Sequence, residues 1–250
     1  MVMMPDQDES RFRLNRFIAM CGGGSRRSAE YLIRSGRVSV NGSTIRDLSL
    51  KVVPEDDEVR LDGVVIKMKP KSYLIVNKPR GMVCAVSDKF SRTVMDLLPQ
   101  EISEAGVFPV GRLDKDSEGL LILTNDGAMS QKITHPGSRI LKTYEVLVQR
   151  IVSGEELRDF MDGTSVGSRI VFPVEAKIIE KQPAGRWFSI TIGEGLKREI
   201  RVMAESRGLR VIRLVRTKIG SLELRSLPSG RFLQVDGEEL LEMIFCGGCI

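Results

Sequence analysis

One histidine and four cysteines in 250 residues leave little from which to build a metal centre. Cys21 and Cys84 stand alone, while Cys246 and Cys249 make a single C-x-x-C near the end of the chain. A structural zinc site needs a second pair or histidines at ligand spacing, and His135 has no companion. A redox C-x-x-C opens a helix after a strand, which this one does not do. No stretch approaches the ~18 consecutive apolar residues of a membrane span. Residues 1–10 hold three acids, Asp6, Asp8 and Glu9, and no apolar core, so neither a signal nor a transit peptide is expected there. We therefore expect a flexible tail over residues 1–10, a cytoplasmic location, no membrane partner and no metal. The chain also lacks internal repeats, low-complexity stretches and any small-molecule cofactor motif, so no cofactor is expected.

What is present is the composition of a soluble globular protein, with 42% hydrophobic and 28% charged residues. The length allows about one to two domains, and a chain of this size buries roughly 70–75% of its unfolded surface without a disulfide or metal. The net charge of +5 is modest, but its distribution is uneven. Between Arg11 and Arg46 lie eight arginines against one acid, Glu30; between Lys197 and Lys218 lie eight basic residues against Glu199 and Glu205. Solvated helix faces mix both signs, as i,i+4 pairing favours. Two nearly one-signed clusters instead predict contact with a polyanion, and arginine in preference to lysine favours phosphate recognition.

Leu14, Phe17, Ile18 and Cys21 follow helical spacing, stopped by Gly22, Gly23 and Gly24. Ser25 is an N-cap for a second helix with Ala29, Leu32 and Ile33 on its apolar stripe, ended by Gly36. Val38 and Val40 alternate into Asn41-Gly42, a tight-turn signal, and Asp62-Gly63 marks another hairpin. The stretches Arg13–Ala19, Gly24–Ala29 and Ile33–Gly42 resemble the S4 RNA-binding domain. That resemblance implies a grip on A-form RNA by shape and backbone, with Arg13, Arg26, Arg27 and Arg37 as RNA contacts and the helix N-terminus suited to phosphate oxygens.

The basic, proline-containing stretch over residues 68–72 reads as a linker. Beyond it, strands are expected at Tyr73–Asn77, Val107–Val110, Gly119–Thr124, Lys142–Val148, Val171–Lys177, Trp187–Ile192, Val211–Val215 and Ser221–Leu224. Helices are expected at Thr93–Leu98, after Asn125-Asp126-Gly127, at Ser153–Met161 and at Arg198–Arg207. The expected fold class is α+β: a small S4-like domain of two helices plus short strands over residues 11–67, then a larger domain with a mostly antiparallel mixed sheet over residues 73–245. Residues 246–250 are expected to form a tail.

Chemistry concentrates in Gly111–Gly119, where Asp114, Asp116 and Glu118 interleave with Arg112 and Lys115. The loop admits three readings: a polar hairpin turn, a calcium loop, or a catalytic carboxylate held by cations. Calcium fails because the EF-hand's twelfth position holds Asn125 where a bidentate Glu is needed, and strands flank the loop where helices belong. Val110–Asp114 followed by Ser117–Gly127 resembles the signature of RsuA-like ribosomal-RNA pseudouridine synthases. Asn77–Gly81, Lys142–Val146 and Glu194–Met203 extend the likeness in the family's order across about residues 11 to 225.

The resemblance implies that Asp114 attacks the target nucleoside and lets the uracil–ribose bond break, after which the base rotates and reattaches through C5. It implies Tyr144 as the ring that stacks on the flipped base, Arg201 as the basic partner of the aspartate with Arg198 beside it, and Arg112 as a phosphate or nucleotide contact. A nucleophilic carboxylate in a dry pocket needs such a cation to stay ionised. The chain departs from the family at Glu199, where Gln is common, and at Lys197, where Asn is frequent. The expected partner is ribosomal RNA or ribosomal assembly intermediates, and a monomer is expected. The competing functions are a non-catalytic rRNA-binding assembly factor and a carboxylate-dependent glycosidase that would liberate free uracil.

Overall fold

The computed structural model describes residues 11–247. They gather into two compact units: residues 11–71 with Pro99–Val107, and Ser72–Leu98 with residues 108–247. Pro99–Val107, read from sequence as part of the second domain, groups with the first. Its helix Gln100–Glu104 is tied there by a hydrogen bond from Lys69 Nζ to the Glu104 carbonyl.

In the first unit, helices Leu14–Met20 and Arg26–Arg34 precede a four-stranded antiparallel sheet ordered Ser43–Ile45, Val38–Val40, Val59–Leu61, Val64–Val65. The second helix begins where Ser25 Oγ accepts the Ser28 N–H at 3.1 Å; removing such a cap costs about 1 kcal/mol. The hairpin turns at Asn41 and Gly42 and at Asp62 and Gly63 all adopt positive φ, between 50 and 81°, as type I′ turns require. Leu14, Phe17 and Ile18 from the first helix meet Ala29 and Ile33 from the second over Val38, Val52 and Val59. Each large apolar side chain buried here contributes roughly 1.5–3 kcal/mol. A two-stranded ladder, Phe12–Arg13 with Lys51–Val52, closes the unit.

The second unit is built on a nine-stranded sheet. Its path runs Glu175–Ile178, Trp187–Ile192, Lys142–Val148, Val211–Ile219, Glu118–Thr124, Tyr73–Lys78, Phe232–Val235, with Leu222–Glu223 and Phe108–Val110 paired off it. The pairings are antiparallel except one, between Val211–Ile219 and Glu118–Thr124, which spans two residue pairs, Val215 with Glu118 and Arg216 with Gly119. Glu118–Thr124 carries the unbroken apolar run Leu120–Leu123 of a strand buried on both faces, and Trp187–Ile192 is buried throughout with Ser189 and Thr191 among its apolar residues; Lys142–Val148 alternates because one face is less covered. Each half of the sheet has its own core, one around Val146, Phe160, Phe188 and Met203, the other around Ile75, Leu120, Ile122 and Leu240.

Gly119 sits on the seam between the halves. Its φ is +102°, and a Cβ there would lie 2.3 Å from the Arg216 carbonyl oxygen, so only glycine lets the two central strands approach. Sequence reading assigned no element between residues 225 and 245. The structure places there the edge strand Phe232–Val235 and the helix Gly237–Phe245, capped by Asp236 Oδ1 accepting the Glu239 N–H at 2.7 Å. Cys246 is exposed at the end of that helix; Cys249 lies outside the described residues. Among the described residues, no cluster of three or more His, Cys, Asp or Glu could hold a metal, and no helix is long and apolar enough to cross a membrane.

Candidate active site

The acidic loop leads into the central strand Glu118–Thr124 and is held from below by a lysine. Lys78 ends the strand Tyr73–Lys78 in phase with Leu74 and Val76, and its side chain is fully buried. Its Nζ donates to the carbonyls of Ser117 at 2.6 Å, Asp114 and Pro79 at 3.2 Å, and Lys115 at 3.5 Å. Burial pulls the Lys78 ammonium below its ordinary value, while the nearby Cys84, Glu118, Asp116 and Asp114 push it back up. The loop is closed by Ser117 N–H donating to the Asp114 carbonyl at 3.0 Å and Gly81 N–H to that of Lys115 at 2.7 Å. Leu113 is buried and its N–H donates to Cys84 Sγ at 3.2 Å. These contacts fix the backbone at Asp114 from three sides.

The three loop carboxylates have different partners. Glu118 accepts both arms of the Arg213 guanidinium at 2.8 Å each. Asp116 pairs with Arg201 at 3.1 Å and with Arg198 at 3.8 Å. Asp114 alone makes no side-chain hydrogen bond or ion pair among the described residues, and it is half-buried on the wall of a cavity. That cavity, about 120 Å³, opens to solvent and is lined among others by Arg112, Ser117, Tyr144, Lys197, Arg198 and Glu199. Its size is comparable to the ~150 Å³ that accommodates a benzene ring, so it suits one planar base.

Tyr144 lies on the strand Lys142–Val148, is 8% exposed, and contributes its ring to the wall. Arg112 and Arg198 line the same cavity; Arg198 holds a left-handed backbone, φ 56°, at the start of the helix Glu199–Glu205. Arg201, expected beside Asp114, is buried and absent from the cavity wall. Besides Asp116 Oδ2 it contacts the carbonyls of Asp116 at 3.2 Å and Val211 at 3.3 Å. Burial lowers its pKa, and the charges of Asp116 and then Asp114 oppose that fall. Arg201 therefore reaches Asp114 as a field, through the loop it holds.

Of the four arginines expected to touch RNA in the first unit, Arg13, Arg26 and Arg27 are exposed and form no ion pair among the described residues. Arg37 is committed to Asp62, with Nε to Oδ1 at 2.8 Å and Nη2 to Oδ2 at 2.5 Å. Sequence reasoning had assigned no role to Lys78, to Asp116 as partner of Arg201, or to Arg213. A lysine in register with the apolar residues of a doubly buried strand was the available signal for the first.

Comparison with known proteins follows the same outline. The profile of the RNA pseudouridylate synthase family matches residues 72–206, and that of the S4 domain matches residues 12–59. The chain is 37% identical over 233 residues to an uncharacterized RNA pseudouridine synthase of Aquifex aeolicus (strain VF5), covering 92% of this chain and 93% of that one. It is 37% identical over 220 residues to the ribosomal large subunit pseudouridine synthase B of Bacillus subtilis (strain 168), covering 87% and 89%. The dual-specificity RNA pseudouridine synthase RluF of Escherichia coli (strain K12) is 36% identical over 246 residues, covering 96% and 80%. A crystal structure of a pseudouridylate synthase superposes with a TM-score of 0.67 at 28% identity, covering 93% of this chain and 100% of the other.

Proposed function

The chain belongs to the RNA pseudouridylate synthase family and is an RNA isomerase, and from that membership we propose that it isomerises a specific uridine of ribosomal RNA with Asp114 as nucleophile. One observation carries the assignment of Asp114. Of three carboxylates in the loop, it is the one left without a cationic partner among the described residues, and it shares a base-sized cavity with a buried tyrosine. Asp116 and Glu118, each held by a guanidinium, are absent from the cavity wall.

The target nucleotide leaves the stack and enters the cavity, where the Tyr144 ring holds the uracil at little side-chain entropy cost. The Asp114 carboxylate attacks C1′ of the nucleoside as the uracil–ribose bond breaks; the freed base turns, its C5 bonds to C1′ as the Asp114–C1′ bond breaks and frees the carboxylate, and C5 then loses its proton while N1 gains one. Arg112, with Arg198 at the start of the following helix, holds the flanking phosphate. Arg201 serves the nucleophile indirectly, anchoring the loop through Asp116. The S4 unit supplies affinity, with Arg13, Arg26 and Arg27 on phosphates; the paired Arg37 serves the fold. The Bacillus relative's name refers to the large ribosomal subunit, which supports ribosomal RNA as substrate. The enzyme acts in the cytoplasm as a monomer on rRNA or assembly intermediates, with residues 11–67 as the binding domain and 73–245 as the catalytic one.

Tritium release from 5-tritiated uridine in rRNA transcripts tests this reading. Wild type should release label without shortening the RNA or liberating uracil, and Asp114→Asn should release none. An Asn variant that turns over at the wild-type rate refutes the assignment.

A further inference from the structure

An uncovered aromatic ring stands beside the active-site loop. Phe90 is 95% exposed, more than any other large apolar side chain among the described residues. Its ring meets no other ring and no cation there. It belongs to the loop of residues 84–91, between the strand Tyr73–Lys78 and the single-turn helix Val94–Leu97. The base of that loop is closed by Val83 N–H donating to the Arg92 carbonyl and Val94 N–H to the Val83 carbonyl, each at 3.0 Å. At its tip Asp88 Oδ1 accepts the Phe90 N–H at 2.9 Å and the Ser91 N–H at 2.8 Å. The backbone is thus fixed in a turn that presents the ring outward.

Two contacts tie this loop to the one that carries Asp114. Cys84 Sγ accepts the N–H of Leu113, which lines the cavity, and Lys115 Nζ donates to Ser91 Oγ at 2.9 Å. Lys115 follows Asp114 and Ser91 follows Phe90, so the ring is a few nucleotides from the cavity at ~3.4 Å of rise per nucleotide. Its surroundings are basic. Between Arg80 and Arg92 the chain holds three cations, with Lys89, against the single acid Asp88. All three are exposed; Arg92 has only a loose contact with Asp96 at 3.8 Å, and Arg80 and Lys89 have no ion pair among the described residues. An apolar protein partner would strip water from these cations. RNA suits both features, a π face for the ring and phosphates for the charges.

Resting on the uridine-isomerase reading above, we propose that Phe90 is a specificity determinant: it stacks on an unpaired base of the strand that carries the target uridine, with Lys89 and Arg92 on the phosphates beside it. This base is distinct from the one turned over, which the cavity with Tyr144 receives. A base paired within a helix has no free face to offer, whereas one in a loop, bulge or end can be splayed onto an aromatic ring. The enzyme thereby favours uridines that have an unpaired neighbour.

The test places abasic nucleotides one at a time along the shortest rRNA fragment that the full chain binds. Loss of the stacked base should weaken wild-type binding by about 10-fold or more at one unpaired position. Phe90→Leu keeps an apolar side chain and removes the π face. It should bind intact RNA as weakly as wild type binds the abasic RNA, and lose nothing further at that position. Phe90→Tyr should restore both binding and the abasic penalty. In turnover the Leu variant should show a raised KM. Its slope of log K against log salt should match wild type, since no phosphate contact is lost, whereas Lys89→Ala should reduce that slope by roughly one. A Leu variant that binds intact RNA like wild type, abasic penalties equal in both at every position, or a fall in kcat with KM unmoved each overturns the proposal. Binding and chemistry are read separately. A wild type that shows the abasic pattern yet releases no tritium is a failure of the isomerase reading, whereas tritium release beside an unaltered Leu variant sinks Phe90 alone.

Discussion

Replacing Lys78 with methionine would keep most of the volume under the active-site loop and remove its only function there, donation to carbonyl oxygens. Four carbonyls surround Nζ, but two have other donors: Asp114 O also accepts from Ser117 N–H, and Lys115 O from Gly81 N–H. The loss therefore falls mainly on the carbonyls of Ser117 and Pro79. Each buried carbonyl losing a charged donor costs about 1–3 kcal/mol. Against this stands the relief of no longer desolvating an ammonium, the effect that lowers its pKa. The balance is a destabilisation of about 2–4 kcal/mol, read as a lower urea midpoint with unchanged m-value. Asp114 is carried on the same loop, so kcat should fall by about 100-fold, the scale of a ~1 Å misplacement, while KM for rRNA holds. Urea melts and single-turnover tritium release on the same preparation measure both. A Met variant with the wild-type midpoint and kcat would show that the loop holds itself, and the reasoning fails.

Gly119→Ala should cost about 3 kcal/mol or more, since it combines overpacking against a backbone oxygen with strain at positive φ; thermal melts would detect it. Asp116→Asn leaves the buried Arg201 without an ionised partner; because the Asp116 side chain is 36% exposed, solvent softens the loss to about 2 kcal/mol, with activity falling alongside. Arg26→Ala with Arg27→Ala should weaken RNA binding and reduce the slope of log K against log salt by roughly one per phosphate contact, whereas Arg37→Ala should leave the slope unchanged and lower stability. Glu199 has a folded pKa above its ordinary 4.5, so between those values the folded chain binds more protons than the unfolded and stability falls as pH rises through the window. Glu199→Gln should therefore melt higher than wild type at neutral pH, with the advantage vanishing below about pH 4.

Elements with strong periodic patterns were legible from sequence alone. Lys142–Val148 and Trp187–Ile192 occupy the residues expected of them, Ser25 caps the helix expected after it, and Ser153, expected to begin a helix, caps one that starts at Gly154. Two-residue strands such as Phe12–Arg13 and the partly exposed edge strand Phe232–Val235 carry too few residues of one period to announce themselves. In the site, the family resemblance singled out Asp114, but neither it nor the loop's residue types told how the neighbouring carboxylates pair. Asp114 and Asp116 stand two apart, and only the turn closed by Ser117 N–H decides which of them faces Arg201. Charge counting could not show that Arg37 pairs with Asp62, which lies on the turn of a hairpin formed later in the chain. Lys78 was hidden for a related reason: its partners are backbone atoms, which have no letter in a sequence.

The short parallel seam has a consequence for how the enzyme matures. Glu118 and Val215 meet across a long span of chain, after the local pairs on either side, Phe108–Val110 with Glu118–Thr124 and Val211–Ile219 with Leu222–Glu223, can already have formed. Contacts of such high sequence separation carry the largest loop-closure cost and form slowly. On an emerging polypeptide, the arginine-bearing N-terminal unit and the aspartate loop are synthesised well before the strand that brings Arg213 and Arg216 to the seam. Competence for catalysis is thus a late event of folding: an incomplete chain could hold RNA long before it could alter a base.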